Sequence, residues 1–81
     1  MKISVKLFAQ AKEIAGSEIV ELELPEQARV SDLRTAIQER FPKMSSLAAS
    51  LLIAVGNDYA NDTDVIDGKT PVACFPPVSG G

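Results

Sequence analysis

Residues 2–24 read KISVKLFAQAKEIAGSEIVELEL and contain two runs in which apolar and polar side chains alternate. The apolar positions, which recur at every second residue, are Ile3, Val5 and Leu7 in the first run and Val20, Leu22 and Leu24 in the second. A period of two is typical of a strand with one buried face. Pairing the runs as a hairpin places lysines of the first and glutamates of the second on one solvated face, which favours an antiparallel pair.

A short helical turn is predicted between these runs, and one main helix after them. Residues 9–16 are rich in good helix formers and end in Gly16, which suits a left-handed C-cap. The main helix is predicted to begin with Ser31 as its N-cap and to stop before Pro42. Its apolar side chains form one stripe: Leu33, Ala36, Ile37 and Phe41.

The second half of the chain predicts shorter strands separated by polar turns. The strand-like segments are Leu51–Val55, the short pair Val65-Ile66, and Val72–Phe75, with turns at Gly56-Asn57-Asp58 and Asp67-Gly68. The order strand, strand, helix, strand, short strand, strand predicts an α+β fold of the β-grasp type, a mixed sheet of four to five strands packed on one main helix. We predict one domain over residues 1–76 and a flexible, extended C-terminal tail over residues 77–81.

The amino-acid composition argues against several classes of function. The 81 residues carry a net charge of −3 with no run of basic residues, so neither nucleic acid nor a membrane is an expected partner. Histidine is absent, which excludes Ser-His-Asp and Cys-His catalysis and His-ligated zinc. The single cysteine forms no internal disulfide, which fits a reducing compartment, and we expect the cytoplasm.

Three motif-like features have ordinary explanations. Gly68-Lys69-Thr70 resembles the end of a phosphate-binding loop, but Thr63 stands where the pattern needs glycine and Pro71 follows where a helix is needed. The aspartates at 58, 62, 64 and 67 lack the spacing of a calcium loop, so no metal site is predicted. Cys74 could carry a persulfide, yet it lies in the middle of a predicted strand and is expected to be a core residue.

The C-terminus offers a different chemistry. In the final segment, Phe75-Pro76-Pro77-Val78-Ser79-Gly80-Gly81, a rigid Pro-Pro leaves the sheet and the last two residues have no side chain. A narrow channel in another protein can close around such a backbone and reach the terminal carbonyl from either face. A carboxylate is unreactive until it is activated, for example as an acyl-adenylate, and sulfide attack on that adenylate gives a thiocarboxylate. The carboxylate of Gly81 is therefore the candidate reactive group.

On these residues the chain resembles the MoaD/ThiS sulfur-carrier family, and within it the branch of molybdopterin synthase small subunits. The terminal segment from Phe75 to Gly81 is similar to the family's terminal signature. Val5-Lys6-Leu7-Phe8-Ala9, followed by Lys12-Glu13 and Gly16, is similar to its first strand and short helix. The chain departs from the family at Lys69-Thr70-Pro71, where an acidic stretch is common, and at Gly56-Asn57, where Asn-Gly is more usual, so the turn types there stay open.

The resemblance implies a ubiquitin-like fold and a defined cycle. An E1-like adenylyltransferase activates Gly81 with ATP and Mg²⁺, and a sulfur donor protein converts the adenylate to a thiocarboxylate. The tail, residues Phe75 to Gly80, then guides Gly81 into the large catalytic subunit, where sulfur passes to cyclic pyranopterin monophosphate to form molybdopterin. Two small and two large subunits make a heterotetramer. The isolated chain binds no cofactor and is not expected to be catalytic alone.

Other functions remain open at this point. A sulfur carrier of the thiamine pathway or of tRNA thiolation, or a conjugating relative, uses the same terminal chemistry. Pro76-Pro77-Val78 favours the molybdopterin branch. From a different class, the chain could be a ubiquitin-like interaction module that binds through its sheet and has an incidental tail.

Overall fold

A computed structural model describes residues 1–77, which form one mixed sheet and three α-helices. The elements in chain order are β1 (Lys2–Leu7), α1 (Ala9–Ala15), β2 (Ile19–Glu23), α2 (Val30–Arg40), a 3₁₀ turn (Pro42–Met44), α3 (Ser45–Ala48), β3 (Leu52–Val55), β4 (Asp58–Tyr59) and β5 (Val72–Phe75). Each predicted strand and helix is found within a few residues of its predicted bounds, except the pair 65–66. There Val65 makes only an isolated bridge to Arg29.

The strands lie side by side in the order β2-β1-β5-β3-β4. β1 and β5 are parallel, and the other neighbouring pairs are antiparallel. The predicted α+β fold with a mixed sheet of four to five strands is confirmed at five strands. The division into a domain and a tail at residues 76 and 77 stays a prediction.

The β1–β2 hairpin has the predicted register. Lys2 pairs with Glu23 across the strands, and the ammonium of Lys6 lies 3.6 Å from a carboxylate oxygen of Glu18. The alternate side chains point into the core, as the period of two requires. Opposite charges on the solvated face therefore support the register, although exposed ion pairs of this kind contribute only a few tenths of a kcal/mol.

One face of the sheet packs against the helices to form the core. The buried side chains come from every strand except β4, and from all three helices, the 3₁₀ turn and the loops: Ile3, Val5, Leu7, Ala11, Val20, Leu22, Leu24, Ala28, Val30, Leu33, Ile37, Met44, Ala48, Leu51, Ile53, Ile66, Val72 and Cys74. No charged or polar residue is buried among the residues that the structure describes. Burial of apolar area is therefore the main stabilising contribution.

The start of α2 differs from the prediction. Arg29, not Ser31, is the N-cap, and its backbone N–H donates to the Asp32 carboxylate at 2.8 Å. The N–H groups of Val30 and Ser31 donate to carbonyl oxygens at 3.0 and 3.1 Å, both contributed by the loop 61–65. Because this loop satisfies the first helical donors, the helix begins before the serine and needs no hydroxyl cap.

The two glycine turns of the second half have definite geometry. Gly56 has a φ of 67°, whereas Asn57 is not among the residues of positive φ, and this combination fits a type II′ hairpin between β3 and β4. At the other turn Gly68 has a φ of 80°, and the Asp67 carboxylate accepts hydrogen bonds from the backbone N–H groups of Lys69 and Thr70 and from the Thr70 hydroxyl. These bonds hold the pKa of Asp67 below its ordinary value. Residues 67–70 therefore form an ordinary aspartate turn, as predicted.

Arg34 joins three segments that are distant in sequence. Its guanidinium donates to the carbonyl oxygens of Ala48 and Leu51 at 2.8 and 2.7 Å and to the Asp62 carboxylate at 2.8 Å. These bonds attach α2 to the segment before β3 and to the loop 61–65. The two carbonyls are partly buried, so losing their donor leaves them poorly satisfied.

Replacing Arg34 with methionine is expected to destabilise the fold. Arg34→Met keeps the aliphatic stem but removes all three donors, and we expect a loss of about 2–3 kcal/mol in the free energy of unfolding. Urea denaturation followed by circular dichroism measures it. Arg40→Met is the matched control, because Arg40 is exposed and its guanidinium only lies over the Phe41 ring, 5.7 Å from the centroid. Equal losses in the two variants would contradict the role of Arg34.

Candidate functional site

The predicted tail begins where β5 ends. Phe75 is the last residue of β5 and is half-buried, as is Pro76, while Pro77 is exposed. Neither proline has an N–H with which to continue the sheet, so the ladder stops at Phe75. Val78, Ser79, Gly80 and Gly81 lie outside the described residues. The roles assigned to the tail from Phe75 to Gly81 stay predictions.

Phe75 stacks on Phe8 at this exit point. The two ring centroids are 4.6 Å apart and the ring planes differ by 11°. The ammonium of Lys6 lies 5.2 Å from the centroid of the Phe8 ring. An offset aromatic pair contributes about 0.5–1.5 kcal/mol beyond area burial, and an exposed cation–π contact about 0.5–1 kcal/mol. The last residue of β5 is therefore held by a specific stack.

The backbone changes direction sharply just after Phe8. Phe8 is extended, with φ −127° and ψ 153°, and Ala9 then adopts a φ of 52°. Left-handed backbone costs a residue with a Cβ about 1 kcal/mol or more. Glycine occupies three of the other left-handed positions, at 16, 56 and 68, and Gln27 is the second residue with a Cβ to adopt this conformation, at a φ of 60°.

The stack belongs to the face of the sheet that points away from the helices. One half of this face is apolar, and we define the apolar half-face by the outward side chains of Phe8, Ile19, Leu52, Ala54, Tyr59, Ala73 and Phe75. Strand pairing sets Leu52 beside Phe75, Ala54 beside both Ala73 and Tyr59, and Lys6 between Ile19 and Ala73. Ile19, Leu52 and Tyr59 are 56%, 41% and 71% exposed. Grouped exposed apolar side chains of this kind mark interaction surfaces.

The other half of the same face is polar. It carries Lys2 and Ser4 on β1 opposite Glu23 and Glu21 on β2. The apolar half-face is therefore confined to the end of the sheet from which the tail departs. A protein that covers it lies next to the exit of the tail.

Sequence reasoning missed the apolar half-face as a surface. Its signal lay in the same alternation that predicted the strands, because Phe8 follows Lys2, Ser4 and Lys6 in the outward set. An aromatic side chain on the solvent-facing side of a strand indicates a surface that binds another protein. The pattern could have identified Phe8, but it could not bring Leu52 and Tyr59 next to it without the strand order.

Cys74 is buried and points into the core, where its side chain is 0% exposed. Burial raises the pKa of its thiol to about 12, an effect that the Arg34 charge only partly offsets. A thiol with this pKa is almost never a thiolate near neutral pH, and the thiolate is the nucleophile. The interpretation of Cys74 as a core residue is confirmed.

The described residues hold neither a metal-binding cluster nor a membrane-spanning helix. Among residues 1–77 no cluster of three or more His, Cys, Asp or Glu side chains could hold a metal ion. Within the same range no helix is long and apolar enough to cross a membrane. The candidate site is therefore the apolar half-face together with the exit at Phe75 and Pro76.

Known proteins resemble this chain along its whole length. The sequence profile of the ThiS family matches residues 5–81. The molybdopterin synthase sulfur carrier subunit of Caenorhabditis briggsae is 30% identical over 83 residues, covering 100% of this chain and 99% of that protein. The same subunit of Chlamydomonas reinhardtii is 31% identical over 83 residues, with 100% of both chains covered.

Solved structures share the fold. A putative molybdopterin converting factor subunit 1 from Pyrococcus furiosus has a TM-score of 0.84 at 35% identity, covering 96% of this chain and 99% of that one. Small archaeal modifier protein 1 of Haloferax volcanii has a TM-score of 0.83 at 26% identity over 95% and 98% of the chains. A chain in the complex of subunits 1 and 2 of the Helicobacter pylori molybdopterin-converting factor has a TM-score of 0.67 at 20% identity, with both chains fully covered.

The thiol of Cys74 is expected to be inert in the folded protein. At pH 8 a pKa of about 12 rather than the ordinary 9.0 lowers the thiolate fraction about a thousandfold, so labelling by a disulfide reagent is expected to be slower by at least that factor than in urea. Absorbance of the released thiol measures the rate. Cys74→Ala provides the blank. Fast labelling of the folded chain would reopen the persulfide hypothesis.

Proposed function

This chain belongs to the ThiS family, and we propose that it is the sulfur carrier subunit of a molybdopterin synthase. The observation that carries the proposal is the similarity to curated sulfur carrier subunits along the whole chain, up to and including the Gly80-Gly81 end. The geometry agrees with it, because the chain leaves the sheet beside an exposed apolar surface. We also propose that it works in the cytoplasm, where a single unpaired thiol is ordinary.

The proposed chemistry takes place at the carboxylate of Gly81. An E1-like adenylyltransferase uses ATP and Mg²⁺ to form the acyl-adenylate and releases pyrophosphate. A sulfide equivalent from a sulfur donor protein then attacks the acyl carbon, AMP leaves, and a thiocarboxylate remains. Two such sulfurs, delivered successively, convert cyclic pyranopterin monophosphate to the dithiolene of molybdopterin, and each transfer returns Gly81 to a carboxylate.

We propose that the partners, rather than the side chains of this protein, supply the acid–base catalysis. There is no histidine, and the only thiol is buried with a raised pKa. The base, the nucleotide site and the substrate pocket must therefore come from the partners. This chain provides the terminal carboxylate that carries the sulfur, the tail that presents it, and the surface that binds the partner.

We assign the apolar half-face to the large subunit of the synthase. Phe75 belongs both to this surface and to the segment that starts the tail, so a partner seated there receives the tail directly. The Helicobacter pylori neighbour is itself a complex of subunits 1 and 2. Ile19, Leu52 and Tyr59 are the exposed side chains that such a contact would bury.

A second candidate function is protein modification through the same C-terminus. The small archaeal modifier protein of Haloferax volcanii matches nearly the whole chain at a TM-score of 0.83. An acyl-adenylate can react with a lysine amine as well as with sulfide, forming an amide in place of a thiocarboxylate. The two functions share the activation step and differ in the group that accepts the acyl carbon.

Intact-mass analysis tests the sulfur-carrier proposal. After incubation with an E1-like adenylyltransferase, ATP, Mg²⁺ and a sulfur donor, we expect a gain of about 16 Da, one oxygen replaced by sulfur, located in the C-terminal peptide. Reactions without ATP, and the variant lacking Gly81, are expected to show no gain. The deletion should leave the unfolding transition unchanged, because the last strand of the sheet ends at Phe75, six residues before Gly81.

Three results would count against it. A gain of about 32 Da on Cys74 would support a persulfide carrier instead. Normal loading of the Gly81-deleted chain would show that another group carries the sulfur. Covalent adducts with other proteins at lysine, without a thiocarboxylate, would favour the modifier function.

A further inference from the structure

We propose that Phe8 is a positioning residue for the reaction at Gly81: its ring, placed over Phe75 by the left-handed backbone at Ala9, fixes the direction in which Pro76 leaves the sheet. This inference rests on the proposed function, because it concerns how the tail reaches the activating and sulfur-accepting partners. It goes further by assigning a role to a residue that lies at the opposite end of the chain from the reactive group.

The stack replaces a missing backbone contact. On one side Phe75 pairs with Leu52 of β3, but on the β1 side the parallel register ends one step earlier, at Leu7 opposite Cys74. Beyond that pair β1 gives way to α1, which starts at Ala9. The Phe8 ring, 4.6 Å from that of Phe75, takes the place of the ladder on this side. Phe75 is therefore held on one side by backbone bonds and on the other by a ring.

The backbone around Phe8 is arranged to keep the ring there. The N–H of Leu7 donates to the Glu18 carbonyl at 2.7 Å, so β1 stays paired with the segment before β2 up to its last residue. Ala9 then turns at a φ of 52°, and Ala11, two residues on, is fully buried. Phe8 thus lies between two residues anchored in the core. The unfavourable conformation at Ala9 is the local cost of this arrangement.

The contacts of Phe8 distinguish it from residues that only offer docking area. Tyr59 on the same half-face is 71% exposed, whereas Phe8 and Phe75 are half-buried against each other. The ammonium of Lys6 lies over the Phe8 ring and is itself held near Glu18. Much of the Phe8 side chain is therefore already in contact with Phe75 and Lys6 within the protein.

The orientation of Phe75 sets the direction in which Pro76 and Pro77 leave the sheet. Pro76 and Pro77 have restricted φ angles, so a rotation at Phe75 is passed on rather than absorbed locally. Gly81 is the sixth residue after Phe75 in the sequence, so the direction set at Pro76 and Pro77 determines where the tail begins its approach to a partner's site. Reaction at an acyl carbon is sensitive to displacements near 1 Å. Restricting the exit direction therefore raises the fraction of encounters in which Gly81 is correctly presented.

The test compares four chains in steady-state pyrophosphate release by the E1-like adenylyltransferase with ATP, Mg²⁺ and a sulfur donor that discharges the acyl-adenylate, measured over a range of carrier concentrations. The chains are wild type, Phe8→Leu, Phe8→Tyr and Ile19→Ala. Phe8→Leu keeps an apolar side chain but loses the stack, and we expect kcat to fall about tenfold while KM changes less than about threefold. Phe8→Tyr keeps the ring and is expected to restore both constants to within about twofold.

Ile19→Ala is the matched control for docking area. Ile19 lies on the same half-face beside Lys6 but takes no part in the stack, so if the adenylyltransferase also docks on this half-face the loss of Ile19 raises KM, and in either case kcat is expected to stay near the wild-type value. A second readout needs no partner. In the free protein, NMR couplings are expected to report a single χ1 rotamer for Phe75 in wild type and Phe8→Tyr, and averaged rotamers in Phe8→Leu.

Each contrary result has a definite meaning. If Phe8→Leu raises KM alone, then Phe8 is only docking area and the inference is wrong. A single Phe75 rotamer in Phe8→Leu, or averaged rotamers with unchanged kcat, also overturns it. Those outcomes leave the proposed function standing. If the wild-type chain supports no pyrophosphate release at all, the proposed function fails, and the inference fails with it.

Discussion

The parallel pairing of β1 with β5 determines where the C-terminal segment of this chain leaves the sheet. Parallel strands end at the same edge of a sheet, so Leu7 lies beside Cys74 and Phe8 comes next to Phe75. β5 is also the middle strand of the five. The tail therefore departs from the centre of the sheet edge rather than from a frayed margin. The exit, the aromatic stack and the apolar half-face all depend on this pairing.

The chemistry of the core places a second constraint on function. A small domain needs its interior for apolar burial, and here every buried residue of the described part is hydrophobic. Cys74 is one of these residues, and the same desolvation that makes it a good core side chain raises its pKa and removes it as a nucleophile. A fold of this kind has little room for an internal active site. Presenting a reactive terminus to other proteins is a function that it can perform without one.

The parts of the fold that follow from local periodicity could be predicted from the sequence. The alternation in residues 2–24 and in Val72–Phe75 predicted β1, β2 and β5, because the two faces of a strand are set by the order of residues within it. The N-cap of α2 was predicted wrongly, because carbonyls of the loop 61–65, about thirty residues away, satisfy its first donors.

The candidate site was only partly predictable for the same reason. The residue at which the chain leaves the sheet, Phe75, could be located from Pro76 and Pro77. A proline has no N–H to donate, so it ends strand pairing in any fold. The apolar half-face could not, because Ile19, Leu52 and Tyr59 meet only once the strand order is known. The left-handed backbone at Ala9 has no signal in the sequence, since alanine is ordinarily a helix former.

The central claim is that sulfur travels on the carboxylate of Gly81 and is given up inside a partner. A single-turnover reaction of the thiocarboxylated chain with the large subunit and cyclic pyranopterin monophosphate tests it most directly, with the C-terminal peptide weighed at successive times. The account predicts that the peptide loses about 16 Da, reverting to a carboxylate, in step with the sulfur that appears in the product. Product sulfur that accumulates while the Gly81 thiocarboxylate stays intact would contradict the account.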